Sequence, residues 1–368
     1  MKKLLVTSAL TGVAMLSSIV ASSAQTAITG NLALGYKASS TTSGGATGKI
    51  ESFRAFTKES QINFRNTGKL PIGADYAAGF SLEFDGNQGG IGYGFASTND
   101  TLASAHGENI YLNIISGNTT LHFGADHIQN PHTLIANIGG GLVSIDEVMA
   151  GVNGKAPALI ANPGSAYQAY GVGIIQNFGK LRGSVYHAPN RNASQALNNG
   201  GNRGTNDVDG AVNAGADTGE SQTEFTLRGD LGVKGLDVLA YYGFANTGNS
   251  LFTDKTTGMR VGARYNLGQI SVAGDYAETQ TGGAVTTVVK ETRTFGLGYA
   301  VNKDLTVAVL QGRTKQNTIS GFTEVLTGIN IGYALGPISL NTHVARGKDM
   351  NLAAGTGKAA MVHANVAF

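Results

Sequence analysis

From residue 25 onward, apolar and polar residues alternate in runs of about ten to fifteen residues, the period of two that belongs to a half-buried β-strand. In 257–267, Met259, Val261, Ala263, Tyr265 and Leu267 point one way, and Arg260, Gly262, Arg264 and Asn266 the other. In 73–86, Tyr76, Ala78, Phe80, Leu82 and Phe84 oppose Asp75, Ala77, Gly79, Ser81, Glu83 and Asp85. The pattern predicts sixteen strands, over 25–38, 51–66, 73–86, 106–116, 118–128, 165–178, 180–188, 220–233, 235–246, 257–267, 269–280, 289–301, 304–315, 321–335, 337–347 and 357–368.

The connections alternate in length. Tight turns are expected at Gly117-Asn118, Gly179-Lys180, Lys234-Gly235, Gly268-Gln269, 302–304 and Gly336-Pro337. Between them lie longer polar links at 39–50, 87–105, 129–164, 189–219, 247–256, 281–288, 316–320 and 348–356. Short turns on one rim and long loops on the other are the pattern of a transmembrane up-and-down β-barrel. A water-soluble sandwich has no reason to keep it around the whole chain. The all-β, antiparallel barrel so predicted turns its apolar set toward lipid, because an Arg on that face costs about 2–4 kcal/mol at the bilayer midplane. Its charged set then faces a wet lumen.

The two ends support that location. Lys2 and Lys3, the apolar stretch from Leu4 to about Ala21 and the small residues Ser22-Ser23-Ala24 have the form of a secretory signal, expected over 1–24, with the barrel over 25–368. Past Ala24 no apolar run reaches the roughly 18 residues a membrane helix needs. The last strand, Val362-His363-Ala364-Asn365-Val366-Ala367-Phe368, alternates to an aromatic residue. That ending points to insertion in a Gram-negative outer membrane after export through the periplasm.

Composition then narrows the function. Without Lys2 and Lys3, the 26 Lys+Arg become 24, equal to the 24 Asp+Glu. Such a balance gives no electrostatic footprint for nucleic acid. With no cysteine, neither a disulfide framework nor a thiolate metal site exists. The 54 glycines stand within strands and at turns, where they let neighbouring strands approach and bend. The five-residue spacing of His122, His127 and His132 does not converge on a metal, and Asp207-Val208-Asp209-Gly210 lacks the later glutamate of a calcium loop. No metal, cofactor or catalytic grouping is expected.

The chain resembles the general Gram-negative porins, the sixteen-stranded trimeric family. The likeness rests on the opening strand Ala27-Ile28-Thr29-Gly30-Asn31-Leu32-Ala33-Leu34-Gly35-Tyr36, the alternation of the rims, a long third loop and the terminal Phe368. It implies an outer-membrane pore for passive diffusion of small hydrophilic solutes and ions, a homotrimer in lipid, and no enzyme activity. It also implies that loop 129–164 folds into the barrel and narrows it. Ile138-Gly139-Gly140-Gly141-Leu142 permits the bend, and Ser144 with Glu147 has capping-box spacing. Asp146 and Glu147 would then lie across the pore as the constriction. The wall candidates are Glu59, Arg65, Asp75, Glu83, Asp85, Asp126, Arg182, Arg228, Arg260 and Arg264. With Lys37, Glu224, Asp230, Asp237 and Asp275 they make nine acids and six bases, which favours weak cation preference. Arg260 and Arg264 either face the constriction or bridge lumen acids such as Asp230 or Asp275. A sugar- or anion-specific channel and a surface adhesin are the alternatives. The few inward rings, Tyr111, Tyr186 and Tyr241, and the apolar-poor loop 189–219 favour neither.

Overall fold

The computed structural model describes residues 24–43, 50–83, 106–124, 148–149, 171–189, 221–246, 255–282 and 287–368. Sixteen strands are formed among them: β1 (Gln25–Ser43), β2 (Ile50–Lys69), β3 (Asp75–Glu83), β4 (His106–Ser116), β5 (Thr119–Gly124), β6 (Gly171–Phe178), β7 (Leu181–Ala188) and β8 (Gln222–Gly229) make the first half. The second half is β9 (Leu236–Asn246), β10 (Lys255–Leu267), β11 (Ile270–Thr281), β12 (Val288–Ala300), β13 (Leu305–Gln316), β14 (Glu324–Leu335), β15 (Ile338–Lys348) and β16 (Gly355–Ala367). Each strand pairs antiparallel with its neighbours in sequence, and β1 with β16 closes the barrel. Every strand expected from the alternation is present.

Closure is carried by the chain ends. The Gly30 amide donates to the Phe368 carbonyl at 2.8 Å, and the Phe368 amide donates back to the Gly30 carbonyl at 2.9 Å. The ladder then runs from Asn31 opposite Ala367 to Ser43 opposite Gly355. On the short rim, β2 and β3 are joined through 70–74, where the Lys69 ammonium lies 3.2 Å from the Asp75 carboxylate. The β8–β9 connection is longer than Lys234-Gly235 alone. Pairing of β8 with β9 stops at Gly229, where φ is 135°, and the turn spans 230–235. There the Lys180 ammonium donates to Asp230 at 2.9 Å and holds that carboxyl below the usual carboxylate range.

The outer wall is an apolar band. Ile28, Leu34, Phe56, Val261, Tyr265, Phe295, Leu297, Val309, Ile329, Val344 and Val362 are all exposed, as is Phe368. A water-facing surface rarely carries so large a contiguous apolar area. Here it follows the parity of the strands around the closed wall, as contact with lipid requires. Tyr36, Tyr242, Tyr299 and Tyr333 stand on the same face. No described helix is long and apolar enough to cross a membrane; the strands cross it.

Arg54 shares the outward parity of Phe56, which is 89% exposed, and the β1–β2 register is unbroken there, with Ala38 opposite Arg54. The arginine sits toward the long-loop end of β2. A register irregularity occurs between β3 and β4, near Gly79 and Ser81, where Asn109 takes a φ of 52°.

Gly30 is where closure tolerates least. A Cβ there would stand 2.6 Å from the Gln61 carbonyl oxygen, with the Phe368 ring against it as well. Gly30→Val should therefore cost about 1–3 kcal/mol, the usual penalty of overpacking. It should lower the temperature at which the compact, fast-migrating form is lost on detergent gels. An unchanged temperature would contradict the tight approach.

Candidate functional site: the pore interior

The inward positions carry two kinds of surface. One is apolar. At a single register row, Ala273 of β11 pairs with Gly296 of β12, Gly296 with Leu310 of β13, Leu310 with Gly328 of β14, Gly328 with Ala345 of β15, and Ala345 with Ala359 of β16. Six adjacent strands thus present only small or aliphatic groups to the lumen at one level. Val148 and Met149, in helical conformation, are 1% and 0% exposed and form one buried cluster with Ala273, Ala308, Leu310, Leu326, Ala345, Met350 and Ala359. Residues 148 and 149 are therefore packed against the inside of the wall. The shelf of glycine and alanine makes room for them, and the apolar contact holds them.

The other surface is polar, and many of its groups pair with one another along and across strands. Arg264 lies 3.2 Å and Arg228 3.7 Å from the same Asp237 carboxylate. Arg260 and Asp275 have fully buried side chains 3.6 Å apart. Glu224 accepts from Gln222 at 2.7 Å and from Tyr241 at 3.2 Å. The Thr292 and Thr314 hydroxyls are 2.9 Å apart, and the Tyr186 hydroxyl donates to the Gly124 carbonyl at 2.9 Å. Bridging of lumen acids is thus the arrangement that Arg260 and Arg264 adopt, with Asp237 as the partner of Arg264.

The other sequence candidates are scattered. Arg65, opposite Gly79, and Arg182, opposite Arg228, are exposed inward positions toward the short-turn end. Asp75 belongs to the short rim itself, beside Lys69. The side chains of Glu59 and Glu83 and all of Asp85, Asp126, Asp146 and Glu147 lie outside the described residues. Sequence reasoning missed the docking row. Its signal was faint: apolar or small residues at inward parity in successive strands, which align only once the register is known. Among the described residues no group of three His, Cys, Asp or Glu is placed to hold a metal ion.

A closed sixteen-strand wall, apolar outside and polar inside, with Val148 and Met149 packed against its inner face, defines a membrane channel of the diffusion-pore type. The chain matches the family model of the Gram-negative porins over residues 7–352 and belongs to that family. It is an outer-membrane porin that lets solutes pass by passive diffusion. Its fold is similar to that of an anion-selective porin from Comamonas acidovorans, with a TM-score of 0.67, 14% identity, and 94% of this chain and 100% of that chain covered. OmpT of Vibrio cholerae in its trimer form gives 0.62 at 10% identity, covering 94% and 100% of the two chains. OmpF of Salmonella typhi, in complex with daunomycin, gives 0.60 at 14%, covering 93% and 97%. No curated protein sequence matches.

Replacing Met149 by Ala should release the anchor. Loss of a buried Met costs about 2–5 kcal/mol, enough to populate undocked states. Single-channel records should then show larger conductance or frequent switching between levels. A trace identical to the wild type would mean that the cluster does not hold the loop.

Proposed function

We propose that loop 129–164 is the constriction of this porin and that Asp146 and Glu147 give it a weak preference for cations. The observation that carries this reading is the burial of Val148 and Met149 against the inner wall, because these two residues directly follow the acidic pair in sequence. The wall supports it by what it cancels. Asp237 is shared by Arg228 and Arg264 and offsets one of their two charges, and Asp275 offsets Arg260. Paired wall charges leave more of the selectivity to the loop, and charge at the narrowest level weighs most on ion passage.

Residues 1–24 serve as the export signal in this reading, and the pore performs no catalysis. The assembly is a homotrimer. The small and aliphatic outward residues Gly30, Leu32, Leu34, Ala360, Val362, Ala364 and Val366 support contact between protomers through β1 and β16, with loop 87–105 latching onto a neighbour. Cross-linking in mild detergent that gives only monomers would remove the trimer from the proposal.

Reversal potentials under a KCl gradient test the constriction. The wild type should report a small cation preference, and Asp146→Asn with Glu147→Gln should move the potential toward zero or to anion preference. Anion preference in the wild type, or no response to the double substitution, would refute the assignment.

A further inference from the structure

Immediately to the short-turn side of the docking row, the inner wall of β14–β16 holds two buried imidazoles with three of their four ring nitrogens unpaired among the described residues. His343 is 1% exposed and His363 4%. Asn330 of β14 pairs with His343 of β15, and His343 with Met361 of β16; one step further down, Asn341 pairs with His363. The two rings are thus diagonal neighbours on adjacent strands, with centroids 5.2 Å apart and planes inclined by 11°.

The hydrogen bonds around them are lopsided. His343 Nδ1 is 2.7 Å from Asn330 Oδ1. A carbonyl oxygen only accepts, so Nδ1 carries the proton and Nε2 presents a bare lone pair. Among the described residues that Nε2 has no hydrogen-bond partner, nor does either nitrogen of His363. The Asn341 carboxamide, 1% exposed, is unsatisfied at both Oδ1 and Nδ2. Leaving one buried polar group unpaired costs about 1–3 kcal/mol. Several such groups close together on one wall offer donor atoms that a ligand could engage.

We infer that His343 and His363 bind a divalent transition-metal ion, of which Zn²⁺ is the natural probe. Imidazole nitrogen suits zinc, copper and nickel, whereas magnesium and calcium demand oxygen donors. The positions paired with or diagonal to the two rings supply no carboxylate: Asn330, Asn341 and Met361 are paired with them on β14–β16, the diagonals there are Gly328, Gly332, Ser339 and Ala359, and β1 sets Gly35 opposite His363 with Lys37 on the diagonal. Zinc bonds imidazole at about 2.0–2.1 Å, which small rotations of two neighbouring rings can reach. The Asn341 oxygen, the Met361 thioether or water would complete the shell. Asn330 acts as a positioning residue, fixing the tautomer and ring orientation of His343 in the way outer-shell partners orient metal-bound imidazoles. His122 has the same device, with Nδ1 2.7 Å from Asn113 Oδ1 and a bare Nε2, but its ring neighbours are Tyr111 and Tyr186 and no second imidazole. It therefore serves as a control. The proposal goes beyond the diffusion reading and does not depend on the constriction.

The test is zinc uptake by the folded full chain in detergent, followed by titration calorimetry and metal analysis, alongside planar-bilayer current with ZnCl₂ or MgCl₂. About one zinc per chain should bind, and zinc but not magnesium should reduce the current. The double substitution His343→Gln with His363→Gln should abolish both effects, and His122→Gln should leave them intact. Asn330→Ala should weaken binding by about 10–100-fold, and Asn330→Asp, which keeps an acceptor for Nδ1, should restore it. Folding of each variant is read independently from its heat-modifiable migration. Absence of zinc uptake by the folded wild type, or wild-type affinity in the folded double variant, would overturn the site.

Discussion

The whole molecule answers to one constraint: in hydrocarbon, no water is available to satisfy a backbone amide or carbonyl. A sheet survives there only if it has no edge, so the first and last strands must find each other. The Gly30–Phe368 pair of hydrogen bonds and the β1–β16 ladder meet that need. Closure then dictates parity. Each strand has one face to lipid and one to the lumen, and a residue's place in the alternation decides which solvent it meets. The exposed apolar band and the inward histidines, asparagines and arginines are two readings of the same ladder.

Inside, the wall is less a line of free charges than a set of cross-strand pairings. Asp237 lies between Arg228 and Arg264, Asp275 against Arg260, and Glu224 beneath Gln222 and Tyr241. Such pairing keeps the wall polar and wet while offsetting part of its charge. The apolar row from Ala273 to Ala359 gives residues 148 and 149 a place to rest. The two surfaces differ in role: polarity lets solutes meet a hydrated wall, and the apolar shelf receives Val148 and Met149. The two imidazoles lie one and two rows below that shelf, where polar surface resumes.

Much of this architecture is legible along the chain. The strand count, the rim alternation and the outward set of Val261, Tyr265, Leu267 and their counterparts follow from a period of two, because successive side chains of a strand point to opposite faces. Arg54 was harder to read: it has the parity of Phe56, and only its place near the long-loop end of β2 accounts for a cation on the outer face. A register irregularity belongs to β3 and β4, where Asn109 has a positive φ that no alternation pattern signals.

The order of residues by itself determined the fold class, the side of the wall on which each strand residue stands, and the acids and bases available to the lumen. Only the tertiary structure decided which of them meet. Parity assigns a face but not a level. The level is set by cross-strand register, which closure fixes for all sixteen strands together. That is why Arg260 finds Asp275, Arg264 finds Asp237, and His343 and His363, twenty residues apart in sequence, come to lie ring beside ring.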